Sequence, residues 1–175
     1  MAHTNDLQQQ DAIKKLSELV SEIETCLFCT MGNREDGSTC RPMTSQSVDE
    51  SGHIWFFSAK DSDKNKEISE DNEVQLFFSH PGKSSYMVVN GHACISTDKH
   101  KISQLWNPLV QTWFPGGKDD PNISLIKVRV TNAHYWDTKG NKMINFFKIV
   151  ASAVTGKNMI DAEEGILQVN GVSHK

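Results

Sequence analysis

The chain has 175 residues, 37% of them hydrophobic and 23% charged, enough for one substantial core but too little apolar sequence for a membrane protein. No apolar run nears the roughly 20 residues that cross a bilayer. A net charge of −4 argues against a nucleic-acid binder, which carries a basic face.

Residues 7–25 carry the clearest helical pattern. Leu7, Ile13, Leu16, Leu19, Val20 and Ile23 fall on one stripe, with Lys, Glu, Ser and Gln opposite, so the helix is expected to cover one mouth or edge of a sheet. The polar MAHTNDLQQQ at the start lacks the basic-then-apolar order of a secretory signal. After the helix the period changes from about 3.6 to 2. Strands are expected over 26–31, 39–48, 53–58, 74–79, 86–96 and 125–131, with a separate short one over 134–136. Turn formers break them: Asp36-Gly37, Ser51-Gly52 and Pro81-Gly82. The first three strands read as an antiparallel meander.

Two helical inserts interrupt the strands. Asp61 or Ser62 is placed to cap a helix through KNKEISED, and a second helix is expected over 98–106. Beyond Pro108, TWFPGGKDDP is dense in turn formers and reads as an ordered or binding loop. Residues 141–155 are apolar with mixed signals, and the last residues read as loose. With no repeat and no linker, the chain is taken as one domain over 1–175: helix about 7–25, barrel about 26–137, tail 138–175. Six or seven antiparallel strands with few helices imply a barrel, because closure removes exposed edges.

Cys26, Cys29, Cys40 and Cys94 are the four cysteines. Cys26 and Cys29 form a CxxC, yet residues three apart on a strand point to opposite faces. They are read as buried, reduced strand cysteines, with a functional pair as the alternative. Reduced thiols and the absent secretory pattern together indicate the cytoplasm. No second CxxC or HxxxH stands at zinc-site spacing, so no metal is expected.

The stretch 41–67 is where chemistry concentrates. Arg41 lies inside a strand of small, apolar or hydroxylic residues, and a cation there needs an anionic partner. Ser58, Lys60, Ser62 and Lys64 cluster where the next strand gives way to a helix, whose free N–H groups favour anions. If the two strands are neighbours, Arg41 and Lys64 converge on one phosphate; the alternative is a solvated helix face with an ordinary salt bridge to Asp61 or Asp63. Trp106, Trp113, Phe114 and Trp136 suit a planar ring, or equally a core or a dimer interface. The histidines are scattered and no serine stands at a nucleophile elbow.

The series CRPMTSQ, IWFFSAKDSDKNKEI, SYMVVNGHACI, LWNPLVQTWFPGGKDDP and AHYWD resembles the general stress protein 26 family. That family is one of the pyridoxamine 5′-phosphate oxidase-like FMN-binding split barrels. The likeness runs from about residue 16 to 143, and WFPGGKDDP with the downstream YWD is its most specific part. It implies a mainly β fold, a six-stranded antiparallel Greek-key split barrel, paired as a homodimer with FMN at the subunit interface; FAD is left open. By position, Arg41, Pro42, Met43 and Thr44 would lie along the flavin ring and phosphate. Phe57, Ser58 and Lys64 would match the phosphate-binding junction, and Tyr86 and Trp136 would match ring-contacting positions.

One departure bears on the reaction. Where the true oxidases carry an Arg-x-His-x-Arg segment that grips the substrate phosphate, this chain has Lys142, Ile144 and Phe146, which removes bidentate anion binding. Asp63 also stands where those oxidases often carry a second cation. The resemblance thus implies a general-stress-type flavoprotein without pyridoxamine 5′-phosphate oxidase activity. Three functions stay open: an FMN-dependent oxidoreductase, whose cofactor carries the redox chemistry; a non-catalytic flavin store or redox sensor; or a dimeric barrel that has lost its flavin and binds a partner.

Overall fold

The structure is a computed structural model that describes residues 3–4, 7–31, 38–138 and 162–168. Its strands are β1 (His3–Thr4), β2 (Leu7–Gln8), β3 (Thr25–Thr30), β4 (Thr39–Val48), β5 (His53–Ala59), β6 (Glu73–His80), β7 (Ser85–Ser96), β8 (Ile123–Thr138) and β9 (Ala162–Gln168). The helices are α1 (Gln9–Ile23), α2 (Asp63–Glu70), α3 (Lys99–Leu105) and α4 (Pro108–Trp113).

The alternation read from the sequence closes into a ring. Strands follow one another as β3–β4–β5–β8–β7–β6, every neighbour antiparallel, and β6 returns to β3. This is the six-stranded split barrel, with β3–β4–β5 as the expected meander. Cys26, Phe28, Ile54, Phe56, Leu76, Phe78, Met87, Val89 and Val128 point inward and are buried; Phe28 meets Phe56 edge to face at 5.2 Å. Helix α1 lays Ala12, Leu16, Leu19 and Val20 on the same core. It stops at Glu24, whose φ of 62° ends the helical run while its carbonyl accepts from the Ser45 amide and hydroxyl.

A second apolar layer lies outside the barrel. Trp55 of β5 and Ile123 and Leu125 of β8 turn away from the interior and pack with Ile102 of α3, Val110 of α4 and Phe114. Gly91 sits where β7 crosses β8 most closely: a Cβ there would stand 2.5 Å from the Arg129 carbonyl oxygen. The register slips beside it, between Asn90 and Gly91, so only glycine fits the approach.

Several boundaries depart from expectation. The helix begins at Gln9 rather than residue 7, because Leu7 and Gln8 pair in parallel with Leu167 and Gln168 of β9. The expected strands 125–131 and 134–136 are one strand, β8, since Thr131, Asn132 and Ala133 do not break the run. An unexpected helix, α4, takes the first two residues of the expected loop 112–121: Asn107 accepts from the Leu109 and Val110 amides, and Pro108 takes the first helical position. The tail returns as β9 against β8. Of the two cap candidates before α2, Ser62 is the one used. The expected turn at Asp36-Gly37 and the segment 141–155 lie outside the described residues.

The cysteines require a correction. Cys26 and Cys29 do diverge, Cys26 into the main core, but Cys29 is not a free thiol. It is disulfide-bonded to Cys40, its direct partner in the β3–β4 register. The reduced reading fails because the sequence does not reveal which residue of β4 stands opposite Cys29. Cys26 and Cys94 remain free. Among the described residues no helix is long and apolar enough to cross a membrane.

Candidate functional site

The end of β3 and the start of β4 meet α2 at one mouth of the barrel. Phe28 is opposite Arg41 in the register and Thr30 opposite Thr39. Arg41 therefore sits on the inward-facing side of β4, one step above the open end. Its Nη1 donates to Thr30 Oγ1 at 3.0 Å, and its Nη2 donates to Glu67 Oε2 of α2 at 2.7 Å. Thr30, fully buried, donates in turn to the same Glu67 oxygen at 2.6 Å. The partner demanded by an Arg in this strand is thus Glu67. Asp61 and Asp63, the acids nearest the junction in sequence, are used elsewhere: Asp61 accepts from Asn122 and Asp63 pairs with Lys66.

Lys64, three residues before Glu67 on α2, shares this mouth. Burial first, and then the Arg41 guanidinium, hold its ammonium below the usual lysine range, while Glu67 acts the other way. Burial alone would raise Glu67, but hydrogen bonds from Thr30 and Arg41 outweigh it and keep the carboxyl below its ordinary value. Arg41 is thus paired with Glu67, and Lys64 is partly buried within reach of both charges. An anion brought beside Lys64 and Arg41 would favour the charged ammonium.

The junction beneath is rigid. Ser58 is buried and donates to Asn65 Oδ1 at 2.7 Å. Asn65 donates to Ser124 at 2.9 Å, and Ser124 donates to the Ser58 carbonyl at 3.0 Å. Ser62 closes the group, 3.2 Å from Ser58 Oγ, while capping α2. Ser58 and Asn65 thereby fix the helix that presents Lys64 and Glu67.

The remaining expected site residues go to three other places. Met43 packs against the main core. Phe57 lies in the outer layer, edge-on to Trp106 at 5.9 Å and near Phe114 at 6.2 Å. Pro42, Thr44, Tyr86 and Trp136 lie on the outer surface of the sheet. There Pro42, Leu27, Phe77, Val88 and His134 stand in one cross-strand row, with Tyr86 opposite Trp136 in the next. Tyr86 and Trp136 are 40% and 42% exposed, and Trp136 stacks on His134 at 6.2 Å. Arg41 shares the inward face of the barrel wall with Phe28, whereas Tyr86 and Trp136 stand on the outer face of β7 and β8. One chain thus brings Arg41 and Lys64 together and leaves Tyr86 and Trp136 apart from them.

Thr30 and Glu67 are the functional candidates that the residue pattern missed. Glu67 carried a signal, since it shares a helix face with Lys64 three residues away. Thr30 carried none, because its role depends on the β3–β4 register. Among the described residues no cluster of three or more His, Cys, Asp or Glu is placed to hold a metal.

Comparison with known proteins agrees with this architecture. The profile of the family described as pyridoxamine 5′-phosphate oxidase like matches residues 11–161. A candidate general stress protein 26 from Jannaschia sp. CCS1 superposes with a TM-score of 0.77 at 22% identity, over 90% of this chain and 98% of its own. The general stress FMN/FAD binding protein of Xanthomonas citri is 30% identical, with a TM-score of 0.63 over 76% of this chain and 93% of its own. The protein bli-3 of Neurospora crassa is 25% identical over 82% of this chain and 75% of its own length. Strand order, barrel closure and a match over most of the length lead to one assignment: the chain belongs to the pyridoxamine 5′-phosphate oxidase-like family.

Proposed function

We propose that this protein is an FMN-binding, general-stress-type flavoprotein that works as a homodimer and acts as an oxidoreductase. The observation that carries the reading is that Arg41, ion-paired to Glu67, lies close enough to a partly buried Lys64 for its charge to hold that ammonium down after burial has done so. A flavin mononucleotide phosphate is the kind of anion that this pair of cations favours. The FMN/FAD-binding relative in Xanthomonas citri, at 30% identity, supports a flavin in particular.

In this reading Lys64 and Arg41 hold the phosphate, Thr30 and Glu67 orient the guanidinium, and Ser58 and Asn65 keep α2 in place. The flavin, when bound, supplies hydride and electron transfer. A second copy would bring its own Tyr86 and Trp136 toward the ring, since within one chain these two side chains face outward and Arg41 faces inward. The exposed apolar residues Leu27, Phe77, Tyr86 and Trp136 on one sheet face suit burial in such a pairing. Lys142, Ile144 and Phe146 lack the forked cations that grip a vitamin phosphate, so the substrate is a different one.

The purified protein is expected to carry a yellow chromophore whose released mass is that of FMN, and NAD(P)H is expected to bleach it with reoxidation in air. A colourless protein that binds no added FMN overturns the flavin reading. A flavin that no nicotinamide reduces overturns the oxidoreductase reading and leaves a storage or sensing module.

A further inference from the structure

The disulfide and the anion site are adjacent along both strands. Cys29 immediately precedes Thr30 in β3, and Cys40 immediately precedes Arg41 in β4. Cys29 and Cys40 form one rung of the ladder, and among the described residues the Thr30–Thr39 rung is the last one beyond it. Side chains alternate along a strand, so the sulfur atoms lie on one face while Thr30 and Arg41 reach Glu67 from the other. The bond occupies none of the site and ties together the two backbones that build it. The two residues differ in access: Cys40 is exposed, while Cys29 is 2% exposed.

We infer that Cys29–Cys40 is a thiol-exchange site, attacked at Cys40 by a small-molecule thiol, whose reduction loosens Thr30 and Arg41 and so weakens the anion site. An incoming thiolate bonds to Cys40 Sγ, the Cys29–Cys40 bond breaks, and Cys29 Sγ leaves with the electron pair and takes a proton from water. A second thiol then attacks the mixed disulfide on its small-molecule sulfur. The balance is one protein disulfide and two thiols giving two protein thiols and one small-molecule disulfide; the protein is reduced and the thiol oxidised. Freed of its cross-link, the last rung of β3–β4 frays, and the hydrogen bonds from Arg41 to Thr30 and Glu67 lose their fixed origin. Closure of the site to its ligand is then governed by the thiol balance of the surroundings. The affinity half of this proposal rests on the flavin reading; the structural half does not.

The test uses the full chain, air-oxidised or treated with dithiothreitol under native conditions. Alkylation and mass analysis follow the thiols, with exposed Cys94 reacting in both states as the internal control. Reduction is expected to add alkylation at Cys40 first and then Cys29. It is also expected to speed amide hydrogen exchange at Thr30, Thr39 and Arg41, and to lower FMN affinity about fivefold, the low end for coupled sites. Reoxidation with oxidised glutathione restores both, and the Cys29→Ser/Cys40→Ser variant no longer responds to redox treatment. Should that variant fail to fold, the reversible response of the unaltered chain carries the test. A bond that yields only after the chain is unfolded, or unchanged exchange after confirmed reduction, overturns the inference. Equal FMN affinity in both states, with altered exchange, overturns the link to the anion site. FMN binding in neither state overturns the flavin reading, and the exchange result still decides the thiol-exchange site.

Discussion

At the scale of single residues, Arg41 and Lys64 differ in how they are held, and that difference makes them separable by experiment. Arg41 has two partners, Thr30 and Glu67, whereas Lys64 is depressed by burial and by Arg41. Arg41→Ala and Lys64→Ala are each expected to weaken FMN binding by about 1–3 kcal/mol, the scale of a charge-assisted hydrogen bond. Titration by flavin fluorescence measures both, and unchanged affinity in the two variants removes the phosphate assignment. A phosphate favours the charged ammonium, so affinity should fall as pH rises through the lowered Lys64 value, a step that Lys64→Ala abolishes. Two thermodynamic signs follow in the flavin-free protein. Lys64 titrates below its unfolded value, so the unfolded chain holds that proton longer, and this group adds stability as pH climbs through the window up to 10.5. Cys26 works in the opposite direction. Burial pushes its thiol from 9.0 up to about 12, so its contribution is intact below pH 9.0 and is lost across that interval at up to about 1.4 kcal/mol per pH unit. Denaturant melts of Lys64→Met and Cys26→Val between about pH 8 and 11, the range in which the two groups titrate differently in the folded and unfolded chain, separate the two slopes.

At the scale of elements, local chemistry and long-range pairing contribute unequally. Asp98 accepts from the His100 and Lys101 amides at the start of α3, and Asp98→Ala is expected to cost about 1 kcal/mol of stability, read as a lowered denaturation midpoint. Gly91→Ala is expected to be worse, about 1–3 kcal/mol, because the added Cβ would meet backbone of β8 at 2.5 Å. A midpoint equal to that of the parent chain refutes the close approach. The caps and the period-2 runs were legible because they depend on neighbours a few residues apart. Ser62, one of the two expected candidates, caps α2, the expected helix over 98–106 forms as α3 with Asp98 as its cap, and residues 39–48 form a strand with the expected limits. Helix α4 was hidden by the turn formers that follow it, although Asn107-Pro108 is a start signal in its own right. The extension of β8 through Asn132 and Ala133 was hidden because the pairing with β7 continues past the polar Asn132. Asn132 there accepts from Asn90 at 2.9 Å, which satisfies a side chain that otherwise favours a turn.

At the scale of the whole molecule, the exposed sheet face and the split site predict association. Light scattering behind a sizing column is expected to give twice the 19.6 kDa chain mass, with one flavin per chain. Trp136→Arg combined with Phe77→Arg should shift that mass to a single chain and lower flavin content. A dimer unaffected by both charges would locate the contact elsewhere. The sequence by itself determined the class of fold, because alternation, turn residues and helix stripes are local and repeat along the chain. It also singled out Arg41 as a cation needing an anion, and its motifs carried the resemblance to a flavin-binding family. Tertiary structure decided the rest. Glu67 as the partner of Arg41, Cys40 as the partner of Cys29, and the separation of Tyr86 and Trp136 from the cation pair all follow from strand register and ring closure. A shift of one residue in the β3–β4 pairing would leave the composition and the periods unchanged, yet turn Arg41 to the opposite face and part the two sulfurs. Register is set by burial summed over the closed barrel, which is why no short stretch of the chain contains it.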